Sequence, residues 1–307
     1  MASLSPLAAA SIVLIVLPAV GLVGALLYAG TRRAAPDPPR PRVILARWAS
    51  YTVLSIGLLA VAHAGVPGMA ILVGVLGVLG LIEWGRLFDL PIHHRISVLV
   101  AHVVIVLAVV VAGAQAADRL IGGLVLVGIA WPVVRADTGR AVRDLGVAAV
   151  GIIIVSVLLT HGLLLTVELG ETGTVLFVAL AVACATSDVG AFLVGRRFGH
   201  TPLAPRLSPS KTRAGLIGNA LGALLGIALF APALVPSFGG PFVVLLVAIV
   251  AAGAVWGDLL ESAVKREAGV KDAGSWLPGF GGILDRIDSL LVTVALAYWA
   301  TRLVGVG

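Results

Sequence analysis

The sequence predicts an all-α, polytopic integral membrane protein of about ten transmembrane helices, with any site built at the cytoplasmic interface. Three observations carry that prediction. Of the 307 residues, 60% are hydrophobic and only 12% charged, with a mean hydropathy of +1.12, whereas soluble domains carry about 25% charged residues. Ten apolar runs approach the roughly 20 residues that a span requires. Finally, 19 of the 21 Lys and Arg fall on alternate connections between those runs, the pattern of cytoplasmic loops in a membrane protein.

The runs are 8–30, 47–65, 67–85, 96–115, 119–134, 145–167, 173–194, 214–234, 241–263 and 284–304. No Lys or Arg precedes the first, so it reads as a retained span rather than a cleaved leader. "TRRAAPDPPRPR" follows it as a Pro-rich, extended linker. Three pairs of runs are joined by little: "AHAGVPG", "AQAADR" and "VELGETG". The fifth run is short, contains Pro132, and reads as either a span or a re-entrant segment. Placing Arg32, Arg33, Arg40, Arg42 and Arg47 after the first run on the inside puts the basic loops after the third, fifth, seventh and ninth runs there too. Only Arg119 and Arg302 then fall outside. This bookkeeping accounts for the formal charge of +6 and pI near 10.2 without a nucleic-acid partner. No connection is long enough to fold alone. The chain divides into N-terminal transmembrane helices, 1–170, and a C-terminal transmembrane region, 171–307, where the chemistry-bearing residues gather. A single cysteine, Cys184, rules out an intramolecular disulfide and a Cys-cluster metal site.

Ionisable residues in or beside spans are costly and mark function by default. Asp188, Asp258, Asp285 and Asp288 stand out. Asp258 and Glu261 share a face of the ninth run, and Asp285 and Asp288 share a face at the start of the tenth. The connection between those runs would fold Asp258 back towards Asp285. A carboxylate cluster without Cys or His suits a hard, oxygen-preferring cation such as Mg²⁺. The competing explanations are helix capping for Asp285 and Asp288 and an ion pair to Lys265 or Arg266 for Asp258. Between the acids lie Lys265, Arg266, Lys271 and "LPGFGG", where the amides of Gly281 and Gly282 are candidate phosphate donors. The other basic loop, "GRRFGHTPLAPRLSPSKTRAG", offers Arg196, Arg197 and Lys211 for phosphates and the hydroxyls of Ser208 and Thr212. Its "SPSK" lacks the companion motifs of penicillin-binding enzymes, and no P-loop occurs. The six His form no ligand spacing. A transporter would place charged or helix-breaking residues at mid-membrane in paired spans; here the charge sits at one face.

On these residues the sequence resembles the phosphatidate cytidylyltransferase (CDP-diacylglycerol synthase) family. That family's signature, S-x-x-K-R-x4-K-D-x-[GSA]-x2-[LIF]-[PG]-x-H-G-G-x-x-D-R-x-D, is matched by Ser262, Lys265, Arg266, Lys271, Asp272, Gly274, Leu277, Pro278, Gly281, Gly282, Asp285, Arg286 and Asp288. Upstream, "SDVGAFLVGRRFGHTPLAPRLSPSKTRAG" is similar to its D-x-G-A-[FY]…S-P-x-K-T-x-E-G stretch. The resemblance covers about residues 185–295. Two positions depart from it: Phe280 stands where the signature has His, and Ala214 where it has Glu.

The resemblance implies transfer of CMP from CTP to phosphatidate, with CTP, phosphatidate and membrane lipid as partners. It implies Asp258, Asp285, Asp288 and Lys271 as catalytic residues, and Asp258, Asp285, Asp288 and Asp188 as holders of Mg²⁺, with K⁺ as an accompanying ion. Arg196, Arg197, Ser208, Lys211, Thr212, Lys265, Arg266, Gly281, Gly282 and Arg286 would bind substrate. The expected location is the cell membrane, multi-pass, with the site on the cytoplasmic side; a homodimer is carried as the assembly to test. The alternatives are a related CTP-using enzyme acting on another lipid phosphate or polyprenol, and a catalytically degenerate homologue.

Overall fold

A computed structural model describes residues 5–31, 41–135, 139–270, 274 and 282–305. The described chain is almost entirely helical: α1 (Pro6–Thr31), α2 (Pro41–Leu87), α3 (Ile92–Arg135), α4 (Ala141–Gly151), α5 (Leu158–Phe198), α6 (Arg213–Phe238), α7 (Gly240–Glu267) and α8 (Leu284–Val304). A π-helical stretch, Ile152–Val157, joins α4 to α5. Six helices among the described residues are long and apolar enough to cross a membrane: Thr52–Leu87, Ile92–Gln115, Ala141–Phe198, Arg213–Phe238, Gly240–Glu267 and Leu284–Val304. The chain is therefore a multi-pass, helical membrane protein by length and composition.

Three of the long helices are broken internally by glycine. Gly65 in α2, Gly113 in α3 and Gly170 in α5 take φ of 60°, 65° and 59° with ψ near the opposite sign of extended chain. Only a residue without Cβ adopts that backbone freely. The breaks at Gly65 and Gly170 lie inside the two connections "AHAGVPG" and "VELGETG", and Gly113 immediately precedes "AQAADR". Pro41 opens α2, so the linker's last two residues are helical rather than extended; Pro tolerates the first turn because its missing N–H has no acceptor to lose.

Helix ends follow local chemistry. Thr212 caps α6, its hydroxyl accepting from Gly215 N at 3.1 Å. Pro241 sits in the first turn of α7, and α8 closes on Gly305 in the left-handed region, φ 72°. The connection before α6, read from sequence as loop, forms a short antiparallel hairpin, β1 (Pro202–Ala204) and β2 (Ser208–Thr212), with Pro202 opposite Thr212 and Ala204 opposite Ser208.

Helix α5 is the hub. Leu159, Leu163, Leu165, Leu176, Phe177 and Leu180 are fully buried against α2, α6 and α8. Lipid tails are as apolar as leucine, so helix association in a bilayer relies on close packing and interhelical hydrogen bonds. Both appear between α5 and α6. Gly218, Gly222 and Gly226 repeat every fourth residue, and a Cβ at Gly222 would strike the Thr186 carbonyl. There Thr186 Oγ1 donates to Gly222 O at 2.8 Å, and Asn219 Nδ2 donates to Ser187 Oγ at 2.6 Å.

Gly222→Ala should therefore separate α5 from α6 and destabilise the protein by about 1–3 kcal/mol, the usual cost of overpacking. A lowered thermal midpoint of the detergent-solubilised protein checks it; an unchanged midpoint contradicts it.

Candidate active site

Helices α7 and α8 come into backbone contact along a glycine stripe. A Cβ at Gly257 would overlap the Asp288 carbonyl, and one at Gly253 would overlap Thr293. Ser289 Oγ donates to Ala254 O at 3.3 Å across the same seam. This close approach decides where the acids go. Asp258 and Glu261, one turn apart on α7, meet Asp288 on α8, and one carboxylate oxygen from each of the three lies within 4.8 Å of the others. Asp288 is steadied by accepting from Ser289 N at 2.7 Å. Glu261 Oε1 is buried without an N–H donor among the described residues, and the Glu261 carboxyl group also meets the Asp285 carboxyl group.

Two lysines offset this negative charge. Lys211, delivered by β2, pairs with Asp258. Lys265 lies between Glu261 Oε2 at 2.5 Å and Asp285 Oδ1 at 2.9 Å, so it ties α7 to α8. The remaining Asp285 oxygen accepts from Gly282 N at 2.7 Å. Asp188, exposed on α5, lies within electrostatic reach of Asp258, Lys211 and Arg286. The group thus draws on α5, β2, α7 and α8. Beside Glu261 and Asp288 lies a small cavity of about 20 Å³ walled by Trp84, Ile154, Leu260, Val264, Leu284 and Leu291, so apolar packing adjoins the carboxylates.

A family model described as "Cytidylyltransferase family" matches residues 42–304, most of the chain. The chain belongs to the cytidylyltransferase family. It is similar to proteins named phosphatidate cytidylyltransferase from Brucella suis biovar 1 (strain 1330), 47% identical over 116 residues, and Helicobacter pylori (strain ATCC 700392 / 26695), 46% identical over 123 residues. It is also similar to phosphatidate cytidylyltransferase 5, chloroplastic, of Arabidopsis thaliana, 45% identical over 120 residues. These matches cover 37%, 39% and 39% of this chain and 42%, 45% and 30% of the respective relatives. The chain therefore spans less than half the length of the curated relatives it matches.

In this chain the anticipated residues separate into groups. Asp258 and Asp288 face each other, and Asp188 adjoins them electrostatically. Asp285 instead engages Lys265 and the Gly282 amide, while Glu261 takes the third place in the oxygen cluster. The ion pair considered for Asp258 runs to Lys211, not to Lys265 or Arg266. The capping explanation holds in part for Asp285, which accepts from Gly282 N just before α8; Asp288 lies inside the helix and accepts from the amide of Ser289, so it caps nothing. Arg266, on the last turn of α7, donates from Nε to Leu207 O at 3.3 Å and so pins the hairpin's turn. Arg286 is exposed on the first turn of α8. Ser208 begins β2 and Thr212 is occupied as the α6 cap.

Arg196 and Arg197, on the last turn of α5, are exposed and lie over Phe192 and Phe198, 5.9 and 5.3 Å from the ring centroids. Neither is paired with the acids. The Gly282 amide, anticipated as a phosphate donor, is already given to Asp285. Lys271, Gly281 and Phe280 lie outside the described residues. Ala214 stands at the second position of α6.

Sequence reasoning missed Glu83. It lies in α2, about 200 positions from α8, and is 1% exposed. Its Oε1 accepts from Ile283 N and its Oε2 from Leu284 N, each at 2.9 Å. The available signal was an acid within the apolar run 67–85, "LIEWGR", which membrane energetics flags by default.

The two lysines are predicted to differ in weight. The side chains of Lys265, Glu261 and Asp285 are 17%, 10% and 10% exposed, whereas Asp258, beside Lys211, is 37% exposed. Stranding buried carboxylates costs about 3–5 kcal/mol, so Lys265→Met should lower the thermal midpoint clearly more than Lys211→Met. Equal shifts would contradict the assignment.

Proposed function

We propose that this member of the cytidylyltransferase family transfers CMP from CTP to phosphatidate, yielding CDP-diacylglycerol and pyrophosphate in phospholipid biosynthesis. The observation that carries the reading is the meeting of Asp258, Glu261 and Asp288 beside exposed apolar side chains of α7, Trp256 and Leu260. Hard oxygen donors and an apolar surface together suit a lipid whose head is a phosphate. Family membership and the names of the relatives favour the same reading.

The donor set fits Mg²⁺. All three donors are carboxylates, their oxygens lie close enough to share one ion, and Glu261 Oε1 is a buried acceptor without a donor among the described residues. Asp258, Glu261 and Asp288 would hold the ion, with Asp188 adjoining and Asp285 acting through Lys265; K⁺ is the proposed accompanying ion. When bound, a divalent cation supplies charge neutralisation for two anionic substrates and for the departing pyrophosphate. The protein's own residues supply the rest. A phosphatidate oxygen attacks the α-phosphorus of CTP; the new P–O bond forms as the bond to the β-phosphate oxygen breaks, and pyrophosphate leaves. Lys211, Lys265, Arg286 and Lys271 hold phosphate oxygens, with Arg266, Arg196 and Arg197 at the rim. Acyl chains remain in the bilayer beside exposed apolar side chains of α7 such as Trp256 and Leu260, so the lipid need not leave the membrane.

The site is proposed to face the cytoplasm of a cell membrane, since it lies on the side that collects the Lys and Arg. Ten crossings are proposed as well. The continuous stretch Ala141–Phe198 has 58 residues, and at 1.5 Å per residue it would be about three times as long as a hydrocarbon core is thick. The breaks at Gly65, Gly113 and Gly170 turn α2, α3 and α5 into pairs of crossings.

Purified protein given Mg²⁺, CTP and phosphatidate is expected to release pyrophosphate and to form a lipid heavier by CMP. Asp258→Asn, Glu261→Gln and Asp288→Asn should each cut turnover by roughly 10- to 100-fold or more. A product heavier by one phosphate would identify a kinase acting on another lipid. Absence of turnover, restored by Phe280→His, would place the loss at that departure; absence in both proteins would identify a degenerate homologue.

A further inference from the structure

Glu83 contributes nothing that the proposed reaction consumes, yet it is an almost fully buried carboxylate in a run, 67–85, otherwise made of apolar residues and glycine. Ionisable groups at such places persist when they have a specific partner. Here the partner is the start of α8. The first amides of any helix lack intrahelical acceptors, and α8 has no side-chain cap from its own N-cap residue, Ile283. Glu83 fills that role from α2, holding Ile283 N and Leu284 N with one oxygen each. The two bonds fix both the position of the helix end and its rotation about the axis. The surrounding backbone is shaped to admit the carboxylate: a Cβ on Gly282 would lie 2.6 Å from Glu83 Oε2, and one on Gly274 would overlap Oε1. Those two glycines flank residues 275–281, the Gly-rich part of the signature.

The consequence reaches the acid cluster. Asp285 follows Leu284 directly, and Asp288 lies one turn on; both derive their direction from the first turn of α8. Asp285 reinforces the same turn by accepting from Gly282 N. Trp84, adjacent to Glu83, donates from its indole to Val147 O at 2.9 Å and so fixes this part of α2 against α4. The anchor is therefore itself held in place.

We propose that Glu83 is a positioning residue for CMP transfer: from the N-terminal helices it clamps the first turn of α8 and thereby aims Asp288 at the cation site and Asp285 at Lys265. This rests on the reaction proposed above. It also assigns the amides at the start of α8 to the protein itself, leaving Ile283 N and Leu284 N unavailable to a substrate phosphate.

The test compares wild type with Glu83→Gln in full-length protein, by two independent readouts. The first is amide hydrogen exchange at Ile283 and Leu284, measured without substrate or metal. The second is steady-state CMP transfer with Mg²⁺, CTP and phosphatidate. Glu83→Gln preserves shape but turns an amide N–H₂ towards one of the two donors. Expected are faster exchange at those amides, a kcat lower by roughly 10- to 100-fold, as for residues that orient metal ligands, a raised Mg²⁺ requirement, and a KM for phosphatidate within about twofold of wild type. Tyr298→Phe, which removes the hydrogen bond to Glu168 near the opposite end of α8, should keep wild-type exchange at the two amides and wild-type kcat per folded molecule. Should Glu83→Gln fail to fold, Glu83→Asp, which keeps the charge but cannot span both amides, is measured by the same readouts with the same expectations. Unchanged exchange, unchanged kcat, or a kcat loss matched by Tyr298→Phe would overturn the proposal. A wild-type protein without turnover would sink the reaction but not the clamp, which exchange reads alone.

Discussion

Carboxylates can be gathered at a membrane boundary only where cations are gathered with them. Five acids, Asp188, Asp258, Glu261, Asp285 and Asp288, converge from three helices, and their mutual repulsion would be severe in surroundings of low dielectric. The protein supplies two fixed cations in answer. Lys265 belongs to α7 itself and bridges to α8. Lys211 comes from elsewhere, and the small hairpin makes its placement possible: pairing β1 with β2 gives the loop a defined course, Arg266 holds its turn, and Thr212 starts α6 immediately after. Glu261 Oε1 is left buried without a protein donor among the described residues, so the compensation is incomplete in the direction that favours a further cation.

The same constraint explains the backbone architecture around the site. Side chains as short as aspartate reach one another across two helices only when the helix axes are close. Glycine makes that possible at Gly253 and Gly257, where the facing surface is backbone. On the opposite flank α5 and α6 use the same device, reinforced by Thr186 and Asn219. Packing by small residues thus serves both assembly in lipid, where burial of apolar surface offers little, and the geometry of the charged site.

Much of this was legible in the sequence because membrane constraints are severe. Composition alone required helices, and the connections at "AHAGVPG" and "VELGETG" coincide with breaks at Gly65 and Gly170. Helical spacing put Asp258 with Glu261 and Asp285 with Asp288, and the signature tied the two pairs together. What spacing does not determine is which member of each pair faces the other helix. That depends on the rotation of α7 and α8 about the Gly257 contact, which brings Glu261 to the cluster and turns Asp285 to Lys265. Lys211 as the partner of Asp258 depends on a hairpin whose apolar content is too low to announce a strand. Glu83 was visible as an anomaly in an apolar run, but its partners are backbone amides two hundred residues away, and backbone donors carry no residue identity to match.

The central claim is that Asp258, Glu261 and Asp288 together form a divalent-cation site. The most direct measurement is an anomalous-scattering map from crystals of the full-length protein grown with Mn²⁺ in place of Mg²⁺. The account predicts a peak within coordinating distance, about 2–2.6 Å for hard cations and oxygen, of carboxylate oxygens from all three residues. A peak held by Asp285 without Glu261, or no peak between α7 and α8 at a saturating Mn²⁺ concentration, would contradict it.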